Sequence, residues 1–556
     1  MKRNIMALLI FNANICTMDP AKPRADAAVV IANRFAYVGK YEDACACMGR
    51  LPAHFLGTVE KLDAEGCFML PGFNDSHMHY LHYVKSKSSV DLSGSTSINE
   101  IVSRLSAALE SSRGSDGAWL LGEGWNQNHF LSEVRFPTAA DLDRVSRDVP
   151  IAIWRACFHA GVMNSRAMEL MGLNAKSIQK YGEMAATLGD GTPAGVFFEQ
   201  ALDELKAFMP APELPEVVRT LLDHQKDLFA AGVTSVHSDD YNSVSKGQFE
   251  PLLCALRDAG QDGRLKLRIA EQALFTSKDD LAGFFERGFG ENFGNDHFKI
   301  SAIKLLTDGS LGARTAYMNR PYLDAPNTRG LPIFTQQQLD ELIMLAHSRN
   351  MPAVMHAIGD GAIDMCLTAI AHARETMPHL KVRHGIIHCQ ITSREQIKRF
   401  RELDVIAYTQ PIFINEDMHI VYDRVGALSD TSYAWADYQR EGVKQAFGTD
   451  CPVERFNPFP GLYCANTRLD LKGNGPYLPE QALPMEDCIR FYTAAGAYSS
   501  GEERLKGQIR AGLLADFIFL DRDPIAADKK DVPDTKVLAT YIDGQCVWRR
   551  GKTGLG

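Results

Sequence analysis

Pro71-Gly72-Phe73-Asn74-Asp75-Ser76-His77-Met78-His79 closes an apolar run that begins near Cys67. Read as a strand, it puts His77 and His79 on one face, because residues two apart point the same way. Two neutral imidazoles side by side form half of a common zinc-type ligand set, and a glycine near the strand end leaves room for an ion. A lone His-x-His is more often packing or a solvated pair. Its weight here comes from what stands at the ends of later strands.

Seven further apolar runs follow. They are Val233 to His237, Leu265 to Gln272, Ile300 to Leu306, Ala353 to His356, Arg383 to His388, Val405 to Thr409 and Val443 to Thr449. They alternate with helical stretches, the pattern of a parallel sheet built from βα units. With Cys67 to His79 they make the eight strands that close a (β/α)8 TIM barrel in the α/β class. Between the first and second lies a long gap containing Ala118 to Gly122 and Val149 to Trp154. It reads as an insertion of about 90–230 in the first βα loop, at the barrel end that builds active sites.

Both ends of the chain look different. Residues 1–70 hold short β-like runs such as Ala27 to Ile31 and Phe35 to Val38. The C-terminus has Ala515 to Leu520, then Val537 to Ile542 and Cys546 to Trp548 around Asp543-Gly544, a hairpin signal. The expected organisation is a small β-sandwich from 1–70 and 500–556, with a barrel over 71–499.

The 556 residues carry a net charge of −10, which argues against nucleic acid or an anionic membrane as the main partner and for a small molecule. No window has the apolar length of a membrane span. The 12 cysteines include no CxxC pair, and a reducing cytoplasmic setting fits them. A homodimer is compatible with the chain but not indicated by any motif.

Five strand candidates end in groups that suit a metal site: His77 and His79, Lys304, His356, His388 and Asp450. Each has an ordinary reading: a satisfied core histidine, a snorkelling amine, a helix cap. A barrel gathers the carboxyl ends of all its strands at one mouth, so the set converges although its members are far apart in sequence. An ammonium has no lone pair, so Lys304 is either chemically modified or not a ligand.

The order His-x-His, Lys, His, His, Asp resembles the amidohydrolase superfamily. The stretches Gly124-Trp125-Asn126-Gln127, Phe136-Pro137-Thr138-Ala139, His159-Ala160-Gly161 and Asp308-Gly309-Ser310-Leu311 resemble its amidohydrolase-3 branch, which includes N-substituted formamide deformylase. The resemblance implies one metal on His77, His79 and Asp450 and a second on His356 and His388. Lys304 would bridge them as a carbamate formed with carbon dioxide. Zinc suits such ligands; manganese, iron and nickel are also compatible. The implied chemistry is attack on an amide carbon by metal-activated hydroxide, with Asp450 moving the proton to the leaving nitrogen.

Near the substrate the expectations are weaker. Trp125 and Asn126 would contact it from the insertion, with loop packing as the alternative for Trp125. His159 and His237 would donate to an oxyanion, with a structural role equally open. Arg314 is expected near the substrate or paired with Asp308, and Asp75 to orient a histidine from behind. Members of the branch commonly carry an acid before the strand-six histidine, where this chain has Ile387. Two rival functions are an ester or lactone hydrolase on the same site and a catalytically silent small-molecule-binding or regulatory protein.

Overall fold

Gly72 divides the opening run between two sheets. In the computed structural model, Phe68–Pro71 and Phe73–Met78 are separate strands. A Cβ on Gly72 would lie 2.2 Å from the Thr234 hydroxyl, so only glycine lets the chain pass the second barrel strand this closely. The structure describes residues 7–50, 59–87, 89–111, 119–155, 160–206 and 212–551. These divide into two compact units, 1–81 with 214–556, and 82–213.

In the first unit, eight parallel strands pair in chain order. They are Phe73–Met78, Val233–Ser238, Arg268–Leu274, Phe298–Leu306, Ala353–Ala357, Gly385–His388, Ile406–Thr409 and Gln445–Phe447. All eight expected runs are therefore barrel strands. The seam between first and last closes just past the strands: Asp450 N–H donates to His77 C=O (2.8 Å) and His79 N–H to Cys451 C=O (2.7 Å). The interior is filled by Ala302, Val354, Ile387, Ile406, Tyr408 and Ala446. Ile387, immediately before His388, thus packs in the barrel core. Helices between the strands carry local start signals. Thr335 with Gln338 and Ser393 with Gln396 form capping boxes that satisfy amide groups free at a helix start.

The chain ends form two facing sheets. One is four-stranded, with Ala7–Phe11 between Ala27–Ile31 and Val59–Asp63 and with Arg34–Gly39 at its edge. The other is six-stranded and joins both ends of the sequence: Phe68–Pro71 pairs antiparallel with Phe517–Leu520, which continues to Val537–Ile542 and Gln545–Arg549. Alternate residues of both sheets share one core, including Leu8, Ile10, Val30, Phe35, Met69, Phe517 and Tyr541. This is the expected β-sandwich. Ala7–Phe11 and Asn14–Cys16, either side of the turn at Asn12, belong to different sheets rather than to one hairpin. Buried Arg268 ties barrel to sandwich through Asp516 (2.6 Å) and Asp543 (2.7 Å), both on the C-terminal hairpin side.

The 82–213 unit has its own six-stranded sheet. Its order is Ala185–Thr187, Pro193–Phe198, Ala160–Met163, Ile151–Arg155, Leu120–Trp125 and Val90–Asp91. It has a core on each face of that sheet. The helix Leu214–Ala230 clusters with the barrel rather than with this unit. Among the described residues no helix is long and apolar enough to cross a membrane.

Candidate metal centre

Strand period places the site in layers. On the second barrel strand, Ser235, His237 and Asp239 follow one another at spacing two, on one face. Ser235 accepts from Lys506 (2.8 Å), His237 packs on the Tyr408 ring (6.3 Å between centroids), and Asp239 meets His79 and Lys304. His237 therefore lies a layer beneath the mouth, buried, with no hydrogen-bond partner on either ring nitrogen. Burial, with Lys506 adding to it, pushes its pKa down to about 3. An uncharged ring packed on Tyr408 fits the structural one of the two roles open to His237.

The mouth holds the rest. Asp450 Oδ1 lies 3.2 Å from His77 Nε2 and 3.0 Å from His79 Nε2. Ligand atoms of His77, His388 and Asp450 all lie within 4.8 Å of one another. The His388 ring is 5.5 Å from that of His77 and 4.4 Å from that of His356. His388 has φ 77° and Asp450 φ 60°, a left-handed backbone that turns both side chains at their strand ends. Such conformations in non-glycine residues persist where the surroundings enforce them, commonly at functional sites.

Neighbours behind these residues decide which nitrogen faces the centre. His79 Nδ1 lies 2.6 Å from Asp239 Oδ1, and His388 Nδ1 donates to Gln410 Oε1 (2.9 Å). The second contact leaves the His388 Nε2 lone pair for an ion, the usual arrangement behind a metal-bound imidazole. Burial, helped by His356, holds the His388 pKa well below its ordinary value, and burial lowers that of His77. Both are then neutral and fit to ligate. Burial opposes charge on His79 too, but Asp239 and Asp450 outweigh it and hold the pKa well above the ordinary value. A proton on His79 offsets the two carboxylates as a cation would. The ligand atoms of His77, His388 and Asp450 thus fit a divalent ion.

Lys304, fully buried on the fourth strand, donates its amine to Asp239. His356 Nε2 lies 3.1 Å from Gly309 C=O and 3.3 Å from Asp308. Asp75 fastens the seam: it accepts from the backbone N–H groups of His77 (3.2 Å) and Thr449 (3.0 Å) and from the Thr449 hydroxyl. Burial raises its pKa to about 7.

One expected pairing changes. Arg314 pairs with Asp324 (2.8 Å), which also takes Arg424, and not with Asp308. Asp308 instead accepts the N–H groups of Tyr317, Ile358 and Gly359 (2.9–3.1 Å), fixing the loop by backbone contacts. Trp125 is wholly buried in the core of the 82–213 unit, edge-on to Phe136 at 5.5 Å, and so packs that unit. Asn126 accepts from Arg155 (2.9 Å) in the same unit. His159 lies outside the described residues. Sequence reading also missed Asp239 and Gln410. Asp239 was within reach of the same period that marked His237, since it stands two residues further along that strand.

Comparison with known proteins adds to this geometry. The model of a family described as the amidohydrolase family matches residues 60–548. The putative amidohydrolase YtcJ of Bacillus subtilis is 32% identical over 497 residues, 88% of this chain and 91% of its own. The N-substituted formamide deformylase of Arthrobacter pascens is 25% identical, covering 98% and 99%. Among solved structures, an uncharacterized metal-dependent hydrolase from Pyrococcus horikoshii superposes with a TM-score of 0.78 at 28% identity. That match covers 94% of this chain and 99% of the other.

Proposed function

The chain belongs to the amidohydrolase family and is a metal-dependent hydrolase, and from that premise we propose that it cleaves carbon–nitrogen bonds in small non-peptide amides, N-substituted formamides being the leading class. The observation that carries the reading is Asp450 Oδ1 set between the Nε2 atoms of His77 and His79. A divalent ion held by His77, His388 and Asp450 would supply Lewis acidity toward a carbonyl oxygen and would acidify water to a pKa of roughly 7. Asp450 accepts the proton of the attacking water and returns it to the leaving nitrogen, since an amine is expelled only when protonated. Burial raises the Asp450 pKa and the two imidazoles lower it further, so it stays ionised and able to accept. Asp239 and Gln410 hold the rings of His79 and His388 while this happens.

Zinc as the metal and a carbamate on Lys304 are part of the same proposal. Carbon dioxide would add to the amine with loss of a proton, turning a hydrogen-bond donor into an oxygen donor for a second ion beside His356. The amine now bonds Asp239, so the carbamate replaces that contact rather than adding to it. Bicarbonate-dependent activation, with one added carbon dioxide in the intact mass, is the expected sign.

The test is amine release from a panel of N-substituted formamides by zinc-reconstituted protein, beside Asp450→Asn. Release that falls by at least about a hundredfold in the variant supports the assignment of Asp450. Hydrolysis of matched esters without amine release would replace the amide reading with the ester one. Inactivity toward both would refute the substrate class.

A further inference from the structure

At the opposite end of the barrel from the metal centre, a cavity of about 570 Å³ opens beside Gln445, the first residue of the eighth strand. Its volume is in the range of small-molecule sites. Phe491, Val443 and Tyr498 give it an apolar floor, and the Tyr498 ring is polarised by Arg383 (4.1 Å) and Lys444 (5.1 Å).

The charge around it is one-sided. Lys444, Arg490, Arg504, Lys506 and Arg510 line the cavity against one carboxylate, Glu503. Glu503 is already held by Arg383 (2.8 Å), Lys444 by Asp404 (2.6 Å), Arg490 by Asp487 (2.6 Å) and Lys506 by Glu502 (3.0 Å). Arg504 and Arg510 have no side-chain hydrogen bond or ion pair among the described residues. Deeper in, Gln445 is 2% exposed. Its amide donates to Trp435 C=O (2.9 Å), and its Oε1 has no hydrogen-bond partner. A buried carbonyl left unpaired is disfavoured, so an N–H or O–H donor there is favoured.

Two free guanidinium groups, an apolar floor and one buried acceptor describe a complementary ligand. We propose that this cavity binds a small organic anion, a carboxylate or a phosphate ester, with an apolar body on Tyr498 and its charge on Arg504 and Arg510. A hydroxyl or amine on that body meets Gln445. The site stands apart from the hydrolytic reading and does not depend on it.

Calorimetric titration of the zinc-loaded full chain with 4-hydroxybenzoate, phenyl phosphate and neutral 4-hydroxybenzyl alcohol tests this. One anion should bind saturably at one per chain, the better one telling carboxylate from phosphate. The neutral alcohol should bind at least about tenfold more weakly. Arg504→Glu with Arg510→Glu should weaken anion binding at least about tenfold, because like charges then face each other. Zinc content should be unchanged. Absence of saturable binding by either anion, or binding to the double variant equal to wild type, would overturn the proposal; the second result would put the anion elsewhere, as at the metal centre.

Discussion

Asp239→Asn keeps the shape of a side chain that serves two neighbours and removes its charge. The carboxylate lies 2.6 Å from His79 Nδ1, accepts from the buried Lys304 amine, and is 2% exposed. Burial disfavours its charge, but His79 and Lys304 hold its pKa well below the ordinary value, so it is a full anion in the fold. Two losses follow. Weakening the bond that orients a ligating histidine reduces metal affinity by about 10–100-fold, or about 1.4–2.7 kcal/mol. Leaving the Lys304 ammonium without its counter-ion costs about 3–5 kcal/mol of folding stability, as for any broken buried pair. The stability term is the larger, so metal-free variant should unfold at clearly lower urea while still binding zinc, more weakly. Zinc affinity is read by competition with a chromophoric chelator, and stability by urea unfolding of the metal-free protein. A variant with wild-type zinc affinity and wild-type urea midpoint would refute the claim that Asp239 organises the site.

Glu502 has its pKa lowered from 4.5 to about 2, because Lys506 and Lys299 outweigh the burial that would raise it. A depressed carboxylate stabilises the fold above its unfolded pKa and loses that contribution as pH falls through the folded one. Its share is at most about 3 kcal/mol, reduced by the cost of burying the Lys506 ammonium. Glu502→Gln should therefore flatten the fall in stability between pH 4.5 and 2, measured by urea unfolding across that range. Gly72→Ala should destabilise by about 1–3 kcal/mol through its clash with Thr234. Adding Thr234→Ala, which removes the two closest atoms, should recover part of the loss in thermal unfolding. Trp125→Ala should lower unfolding stability by about 3–5 kcal/mol, as expected for a buried aromatic, and a change in KM alone would contradict its placement in the core.

All eight barrel strands were legible because each is a short apolar run bounded by turn residues, a signal carried by local sequence. The candidate ligands were legible for the same reason: a barrel converts strand ends into one place, so His77, His388 and Asp450 could be gathered without knowing any distance. What failed depended on packing partners. Nothing local distinguishes Phe68–Pro71 from Phe73–Met78 as members of different sheets; the division appears only when Gly72 meets Thr234. Arg314 has Asp308 six residues away and Asp324 ten residues away, and loop geometry chose the farther one. For His237 and Trp125 a chemical and a structural role were both open, and their buried surroundings fit the structural one. Asp239 was overlooked because an Asp after a strand is ordinarily a cap, and its two partners lie on other strands.

The pairing of Phe68–Pro71 with Phe517–Leu520 also sets an order of events during synthesis. About 450 residues separate the two strands. At ribosomal rates of ~5–20 residues per second, the partner follows about 20–90 s later. Throughout that interval the strand leading into His77 and His79 lacks its sandwich neighbour on that side. The last barrel strand, which brings Asp450 to them, also emerges late. The centre is therefore assembled only after Asp450 has emerged. Metal capture follows the last barrel strand, and the apolar strand Phe68–Pro71, made early, must be shielded until Phe517–Leu520 arrives.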